Sequence, residues 1–370
     1  MPPEIGSRPP RSAVGEVTGG ELFWTNHREW LQGLGYLLRP RYQEGWTPPW
    51  TRVFDAIDQE TYQTYGHSGI MDATVIADGS FVTMKRIQSP SQELDIAVWF
   101  SNEPQRSDPA NYCVPILQVL TDPKEEGWAI IVMPLLRAYD KPRFDTIGEA
   151  VAFFKQIFEG VQFMHRNNVA HRDCTSTNIM MDGASLYRVP FHPISQDRKR
   201  DFSGSVRPYR TRTEHPVKYY LIDFGLSRRY KPEERPPLEP TIRGGDRSAP
   251  EIDACEACDP FPTDVYYLGN LIRRDFIEGW DITSQKFGFE FMQPLVTDMV
   301  QTDPSQRPDM DEVVRRFNEI VRGLSSWKLR TRVVKRADIP MLGFYYSIPH
   351  WLRRIKLIIR RVPPIPVPSR

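Results

Sequence analysis

No stretch of this chain is apolar for long enough to cross a bilayer. The longest uninterrupted apolar run, Trp128–Leu136, has nine residues even with Pro134 counted, and a spanning helix needs about twenty. Cysteine is scarce. Cys113, Cys174, Cys255 and Cys258 are the only four, too few for a disulfide scaffold, which fits an intracellular, cytoplasmic protein. Cys255-Glu256-Ala257-Cys258 has metal-knuckle spacing, but no second Cys pair or His pair completes a four-ligand zinc site. An excess of one charge is lacking too. Forty-eight Lys and Arg oppose 47 Asp and Glu, for a formal net charge of +1, so no global field points to nucleic acid. Residues 1–20 are polar and Pro/Gly-rich, lack the apolar segment of a secretory leader and are expected to be disordered. Pro2 excludes an N-myristoyl glycine.

What is present is concentrated in a few short stretches. His171-Arg172-Asp173-Cys174-Thr175-Ser176-Thr177-Asn178 places an Asn five residues after an Asp. Forty-five residues past Asn178 comes Asp223-Phe224-Gly225, directly behind the apolar run Tyr219-Tyr220-Leu221-Ile222. Mg-assisted phosphoryl transfer needs this kind of set: one carboxylate to orient an attacking hydroxyl, an Asn and a second carboxylate to hold metal ions. Upstream, Phe81–Ile87 reads as a strand carrying Lys85, and Glu93 opens a plausible helix, Glu93–Phe100. Downstream come Ala249-Pro250-Glu251, Asp264-Val265-Tyr266-Tyr267-Leu268-Gly269 and Asp303-Pro304-Ser305-Gln306-Arg307-Pro308.

In this order the motifs resemble the catalytic core of the protein kinase superfamily, from about Gly66 to Leu324. The resemblance implies an α+β, two-lobed protein-kinase-like fold, with a small, mostly β N-lobe and a larger, mostly α C-lobe. It implies ATP and Mg²⁺ as cofactors and a protein substrate. Asp173 is then the residue that orients the acceptor hydroxyl, Asn178 and Asp223 the metal ligands, Lys85 the phosphate anchor and Glu93 its partner. Arg307 is expected to pair with Glu251. Gly66-His67-Ser68-Gly69, with Thr64 at the first position, is what remains of a glycine-rich phosphate loop, and an ordinary turn is the competing reading. Met133 falls where kinases guard the adenine pocket. Pro134 retains a carbonyl to accept from the adenine amino group, and Leu136 N–H is the ring donor. The leader segments Leu37–Tyr42 and Gly45–Trp50 are similar to those of basidiomycete fungal protein kinase-like proteins.

The expected domains are a disordered 1–20, a Trp-rich leader 21–60 packed on the body, an N-lobe and hinge 61–136, a C-lobe 137–324 and a tail 325–370. Thr146-Ile147-Gly148-Glu149 is a capping box before Phe154, Ile157, Phe158 and Val161 at helical spacing. A second helix start is Asp309-Met310-Asp311-Glu312. The stretch between Asn178 and Asp223 is far longer than a kinase hairpin. It contains Arg198-Lys199-Arg200 and reads as a basic surface loop at about 187–216. Two departures bear on activity. Kinases of the Ser/Thr type carry Lys where this chain has Thr175, and Thr where it has Gly244. A pseudokinase that binds nucleotide or partners without efficient transfer, and a small-molecule kinase, are the alternative readings.

Two further expectations concern surfaces. Arg172 can pair with a phosphate on the activation segment. Thr241 and Ser227 are the candidate acceptors, with Glu233 or Glu234 as a constitutive substitute. In the tail, Trp351, Leu352, Ile355, Ile358 and Ile359 form an apolar helical stripe beside Arg353, Arg354, Lys356, Arg360 and Arg361. One reading packs this helix on the body with its basic side in water. The other makes 350–361 a peripheral contact with anionic membrane.

Overall fold

The computed structural model describes residues 17–47, 59–234, 236–242, 244–254, 257–279, 285–336, 338 and 340–368. Residues 1–16 and Cys255 therefore lie outside the described residues. Helix α1 (Gly19–Gly33) precedes an antiparallel sheet of β1 (Tyr36–Leu38), β2 (Ile70–Val75), β3 (Phe81–Gln88), β4 (Gln118–Thr121) and β5 (Trp128–Pro134), in the order β1-β2-β3-β5-β4. Side chains alternate across a strand. On β3 that alternation buries Val82 and Met84 and leaves Phe81, Thr83 and Lys85 on the other face. The buried face packs against Trp24, Leu31 and Leu38. Helix α1 is thus the outer cover of the sheet, and Lys85 points away from it. Strand β1 comes from the Trp-rich leader. Three residues are too few to carry a period-two signal.

Helix α2 (Gln92–Ser101) starts on Ser91, whose hydroxyl accepts Leu94 N–H at 3.3 Å, and it buries Ile96, Ala97 and Phe100. The C-terminal lobe opens with β6 (Arg137–Ala138) and is organised round α3 (Ile147–Arg166). Thr146 caps α3 by accepting Glu149 N–H at 3.2 Å. This helix is buried on nearly every face, the signature of a core helix. Three short ladder strands follow: β7 (Val169–Ala170), β8 (Ile179–Met181) and β9 (Tyr219–Leu221). Next come β10 (Arg228–Arg229), β11 (Glu239–Pro240) and β12 (Ala257–Cys258). Helix α4 (Pro260–Ile272) is apolar and buried, and α5 (Met310–Gly323) begins on Asp309, which accepts Glu312 N–H at 2.8 Å. Between them Gln293–Met299 is only a short helix.

The insertion between β8 and β9 is a solvated surface loop only in part: Arg207–Arg210 is exposed, but other stretches are buried. Arg212 is almost fully buried, donating to Tyr139 O at 2.8 Å and Pro142 O at 2.6 Å. The far end of the insertion reaches the other lobe. Arg200 Nη2 meets Asp72 Oδ2 of β2 at 2.6 Å, and Ser195 Oγ donates to Gln63 at 3.0 Å. Asp72 is fully buried and also receives Arg39 Nε at 2.9 Å. A buried carboxylate is tolerated only when paired in this way. The insertion is a strap across both lobes.

Helix α6 (Pro340–Ile359) ends the fold, and Pro363 and Pro364 follow its last turns. A Cβ on Gly148 would collide with the Pro364 carbonyl, so a glycine at the start of α3 lets the tail lie against it. No helix among the described residues is long and apolar enough to cross a membrane.

Candidate active site

The loop carrying Asp173 is fixed from below by Asp264 of α4. This fully buried carboxylate accepts the backbone N–H groups of His171 and Arg172, both at 2.7 Å, and faces His165 Nε2 at 3.0 Å. The hold permits Arg172 to adopt a left-handed φ of 67°, a conformation unfavourable for a residue with a side chain. His171 is structural: its Nε2 lies 3.2 Å from Ile222 O, and its carbonyl accepts Ser227 Oγ–H at 3.0 Å.

The β8–β9 register, Ile179 opposite Leu221, places Asn178 and Asp223 at the same end of one ladder. Ile222 N–H donates to Asn178 O at 3.0 Å. Asn178 Nδ2 donates to Asp173 Oδ2 at 2.7 Å and to Asp173 O at 3.1 Å, which leaves the amide oxygen for a cation. Asp223 sits at φ 63° and ψ 81°. Its Oδ1 accepts Lys85 Nζ–H at 2.8 Å, and the same ammonium donates to Glu93 Oε1 at 2.6 Å. Glu93 reaches Lys85 because Ser89-Pro90-Ser91 carries β3 straight into the first turn of α2.

Burial raises the Asp223 carboxyl, but the charge and hydrogen bond of Lys85 outweigh it and hold the group below the ordinary carboxylate range. Burial lowers Lys85, and here too the paired carboxylates of Glu93 and Asp223 win, raising the ammonium. Both groups are therefore charged at neutral pH. Phe224 is buried against Phe100 of α2 and His171, which locks the segment beside Lys85.

Asp173 is surrounded by Thr175 and the Gly244-Gly245 backbone. Thr175 Oγ1 is 2.9 Å from Thr177 Oγ1, and Asp173 Oδ1 accepts Gly245 N–H at 3.0 Å. A Cβ on Gly244 would lie 2.7 Å from Asp173 Oδ1. Backbone, not a side chain, thus meets Asp173 Oδ1. Beside this point, Thr175, Ser176, Thr177, Gly245, Arg247 and Ser248 line an open groove of about 770 Å³.

The glycine turn is tied outward. Ser68 O accepts Trp24 Nε1–H at 2.8 Å and Gly69 O accepts Arg86 N–H at 2.8 Å. Among the described residues, no hydrogen bond joins Gly66 or Gly69 to Lys85, Asn178 or Asp223. At the lobe junction, Leu135 N–H donates to Phe81 O at 3.2 Å, and Leu136 O accepts Gln196 Nε2–H from the strap at 3.2 Å. Pro134 closes β5 opposite Val82.

The segment after Asp223 is pinned at both ends. Arg307 forks onto Glu251 at 2.7 and 2.8 Å, both side chains being buried, and Thr263 Oγ1 donates to the same carboxylate at 2.7 Å. Arg172 Nη1 faces Glu239 at 3.6 Å, and Nη2 donates to Pro240 O at 3.0 Å. The acid opposite Arg172 is therefore Glu239, not Glu233 or Glu234. Ser227 is fully buried and is not an accessible phosphate acceptor. Glu239, Gln196 and the Gly245 N–H were missed from the sequence. Only the Gly244-Gly245 pair carried a signal, since paired glycines mark close backbone approach.

Fold and site together define a two-lobed phosphotransferase core. The chain belongs to the protein kinase family: the protein kinase domain matches residues 77–274, more than half of its 370. It is 31% identical over 121 residues to myosin light chain kinase 3 of Rattus norvegicus, 33% of this chain and 11% of that protein. It is 27% identical over 153 residues to serine/threonine-protein kinase CAK1 of Saccharomyces cerevisiae, 40% and 34% of the two chains. It is 23% identical over 242 residues to ephrin type-A receptor 5 of Gallus gallus, 57% and 20%. The chain thus spans well under half the length of these relatives.

Proposed function

We propose that this chain transfers the γ-phosphate of ATP to a Ser or Thr hydroxyl of a protein. The observation that carries this reading is the convergence of Glu93 and Asp223 on the Lys85 ammonium, with Asn178, at the same ladder end as Asp223, holding Asp173. Asp173, fixed by Asn178 and Gly245, accepts the hydroxyl proton or holds that hydroxyl in line. Lys85, kept protonated, contacts the α/β-phosphates. Pro134 O and Leu136 N–H receive the base edge. Phosphoryl transfer asks the protein mainly for positioning and charge, and these residues supply both.

An ionised carboxylate and an amide oxygen are hard donors, and Mg²⁺ prefers such oxygen ligands. Asp223 and Asn178 would hold it, and bound there it would neutralise phosphate charge. The groove beside Asp173 has room for an extended acceptor segment. The narrower pseudokinase reading keeps one specific support, the close approach of Gly244 to Asp173.

The test is transfer from labelled ATP to the protein itself and to a peptide library, with Asp173→Asn as control. Transfer that is lost in Asp173→Asn while the Mg-ATP thermal shift persists supports the assignment. Equal transfer by the variant removes Asp173 from the mechanism. A thermal shift that shrinks in Asp223→Ala, without transfer by the parent, selects the pseudokinase.

A further inference from the structure

The tail helix turns outward the side that its sequence pattern assigns to a core. His350, Arg354 and Leu357 are the buried positions of its second half. Trp351, Leu352, Ile355, Ile358 and Ile359 are 44, 66, 52, 45 and 75% exposed. The reason lies in Arg354. Its guanidinium stacks 3.6 Å from the Trp327 ring and 4.7 Å from the Trp351 ring, a cation–π arrangement that docks the helix by its edge. Trp327, itself 62% exposed, adds to the same face. Single exposed apolar residues are ordinary, whereas six contiguous large ones mark a surface that meets something apolar. The helix is not packed on the body by its apolar stripe.

The charge pattern says what it meets. At about 100° per residue, the exposed apolar positions fall on one side and Lys356, Arg360 and Arg353 lie on the adjoining side. Arg353 is used by Asp145 at 3.6 Å. Lys356, Arg360 and Arg361 are exposed and have no acidic partner among the described residues. No acid occurs anywhere from His350 to the last residue. A second copy of the chain would bring the same unpaired cations to the interface and repel. A surface that is apolar within and negative at its rim satisfies both halves of the pattern.

We infer that this face, centred on Leu352, Ile355 and Ile359, docks in the plane of an anionic lipid surface. Apolar side chains enter the acyl boundary while Lys356, Arg360 and Arg361 meet phosphate headgroups, the arrangement of an interfacial amphipathic helix. The contact is independent of the phosphotransfer reading, since no site residue takes part in it.

Sedimentation of the full chain with phosphatidylcholine vesicles, with and without phosphatidylserine, tests the inference. Binding is expected only with phosphatidylserine and falls as salt rises. Lys356→Glu with Arg360→Glu weakens it by at least about tenfold, and Leu352→Asp with Ile355→Asp abolishes it. These positions are exposed, so an unchanged melting temperature in each variant shows that folding is intact. Absence of binding at low salt overturns the proposal, as does binding indifferent to the charge reversals. A concentration-dependent dimer in analytical ultracentrifugation that Ile355→Asp dissociates would assign the face to a second copy instead.

Discussion

Arg307 is the residue whose loss should matter most for the activation segment. Its guanidinium is fully buried and makes two bonds to Glu251 at 2.7 and 2.8 Å, with further bonds to Gln301 O at 2.8 Å and Pro262 O at 3.1 Å. Arg307→Ala leaves the Glu251 carboxylate buried without its counter-ion. Breaking a buried pair from one side costs about 3–5 kcal/mol. At about 2 °C per kcal/mol, suited to a large domain, the melting temperature falls by about 6–10 °C. Removing both partners costs less than the sum of the single changes, because no orphaned charge remains.

The pH dependence has a definite sign. Burial raises Glu251, but Arg307 and Thr263 outweigh it and hold the carboxyl below its ordinary 4.5. The pair's contribution is therefore present above about pH 4.5 and is lost as pH falls through the depressed folded value. In Arg307→Ala only Thr263 and the backbone still oppose burial, the carboxyl rises, and the stability gap to the parent narrows as acid protonates it. Urea midpoints of the parent, both single variants and the double variant, measured across that range, check all three statements. Single losses under about 1 kcal/mol, or strict additivity in the double variant, would refute the reasoning.

Three other outcomes are expected. Gly244→Ala pushes a methyl against Asp173 Oδ1 and lowers kcat by about ten- to a hundredfold with little change in the Mg-ATP thermal shift; an unchanged kcat would show that the loop yields freely. Glu239→Gln removes the charge facing Arg172 and lowers turnover several-fold, and mass spectrometry of an active parent finds no phosphate on Thr241. Gly148→Val displaces the tail from the start of α3, which limited trypsin digestion reads as new cleavage after Arg360 and Arg361.

Much of this was legible because it is local. Thr146 and Glu149 announce the start of α3, and Phe154, Ile157, Phe158 and Val161 its face. The Lys85–Glu93 pair spans eight residues across one strand-to-helix turn. Asn178 and Asp223 sit at one end of a ladder across a long insertion because the strand register, not the intervening length, fixes them. What was not legible depends on partners far away. Arg200 and Asp72 are 128 positions apart, and nothing in Arg198-Lys199-Arg200 tells a buried guanidinium from a solvated one. Arg212 buries for the same hidden reason, through carbonyls of the β6–α3 connection. An apolar stripe fixes which residues share a face of α6, but the Arg354–Trp327 stack decides which face docks.

On the proposed phosphotransfer reading, the strap also bears on which nucleotide the cleft would prefer. Leu135 N–H bonds Phe81 O, so in the alternation of an antiparallel pair Pro134 turns its carbonyl away from β3. Pro134 has no N–H to offer. Gln196 takes the Leu136 carbonyl, while its Oε1 accepts Ala138 N–H at 3.2 Å. Among the described residues, one acceptor, Pro134 O, and one donor, Leu136 N–H, are then left at these two junction positions for a base edge. Adenine presents an amino donor beside a ring-nitrogen acceptor and matches that order, whereas guanine presents a carbonyl beside an N–H and opposes it. Mismatched buried donors and acceptors are expensive, so Mg-ATP should stabilise the chain at concentrations where Mg-GTP does not. Gln196→Ala frees a second acceptor at Leu136 and should narrow that difference; equal shifts with both nucleotides in the parent would show that the base edge does not sit on Pro134 and Leu136.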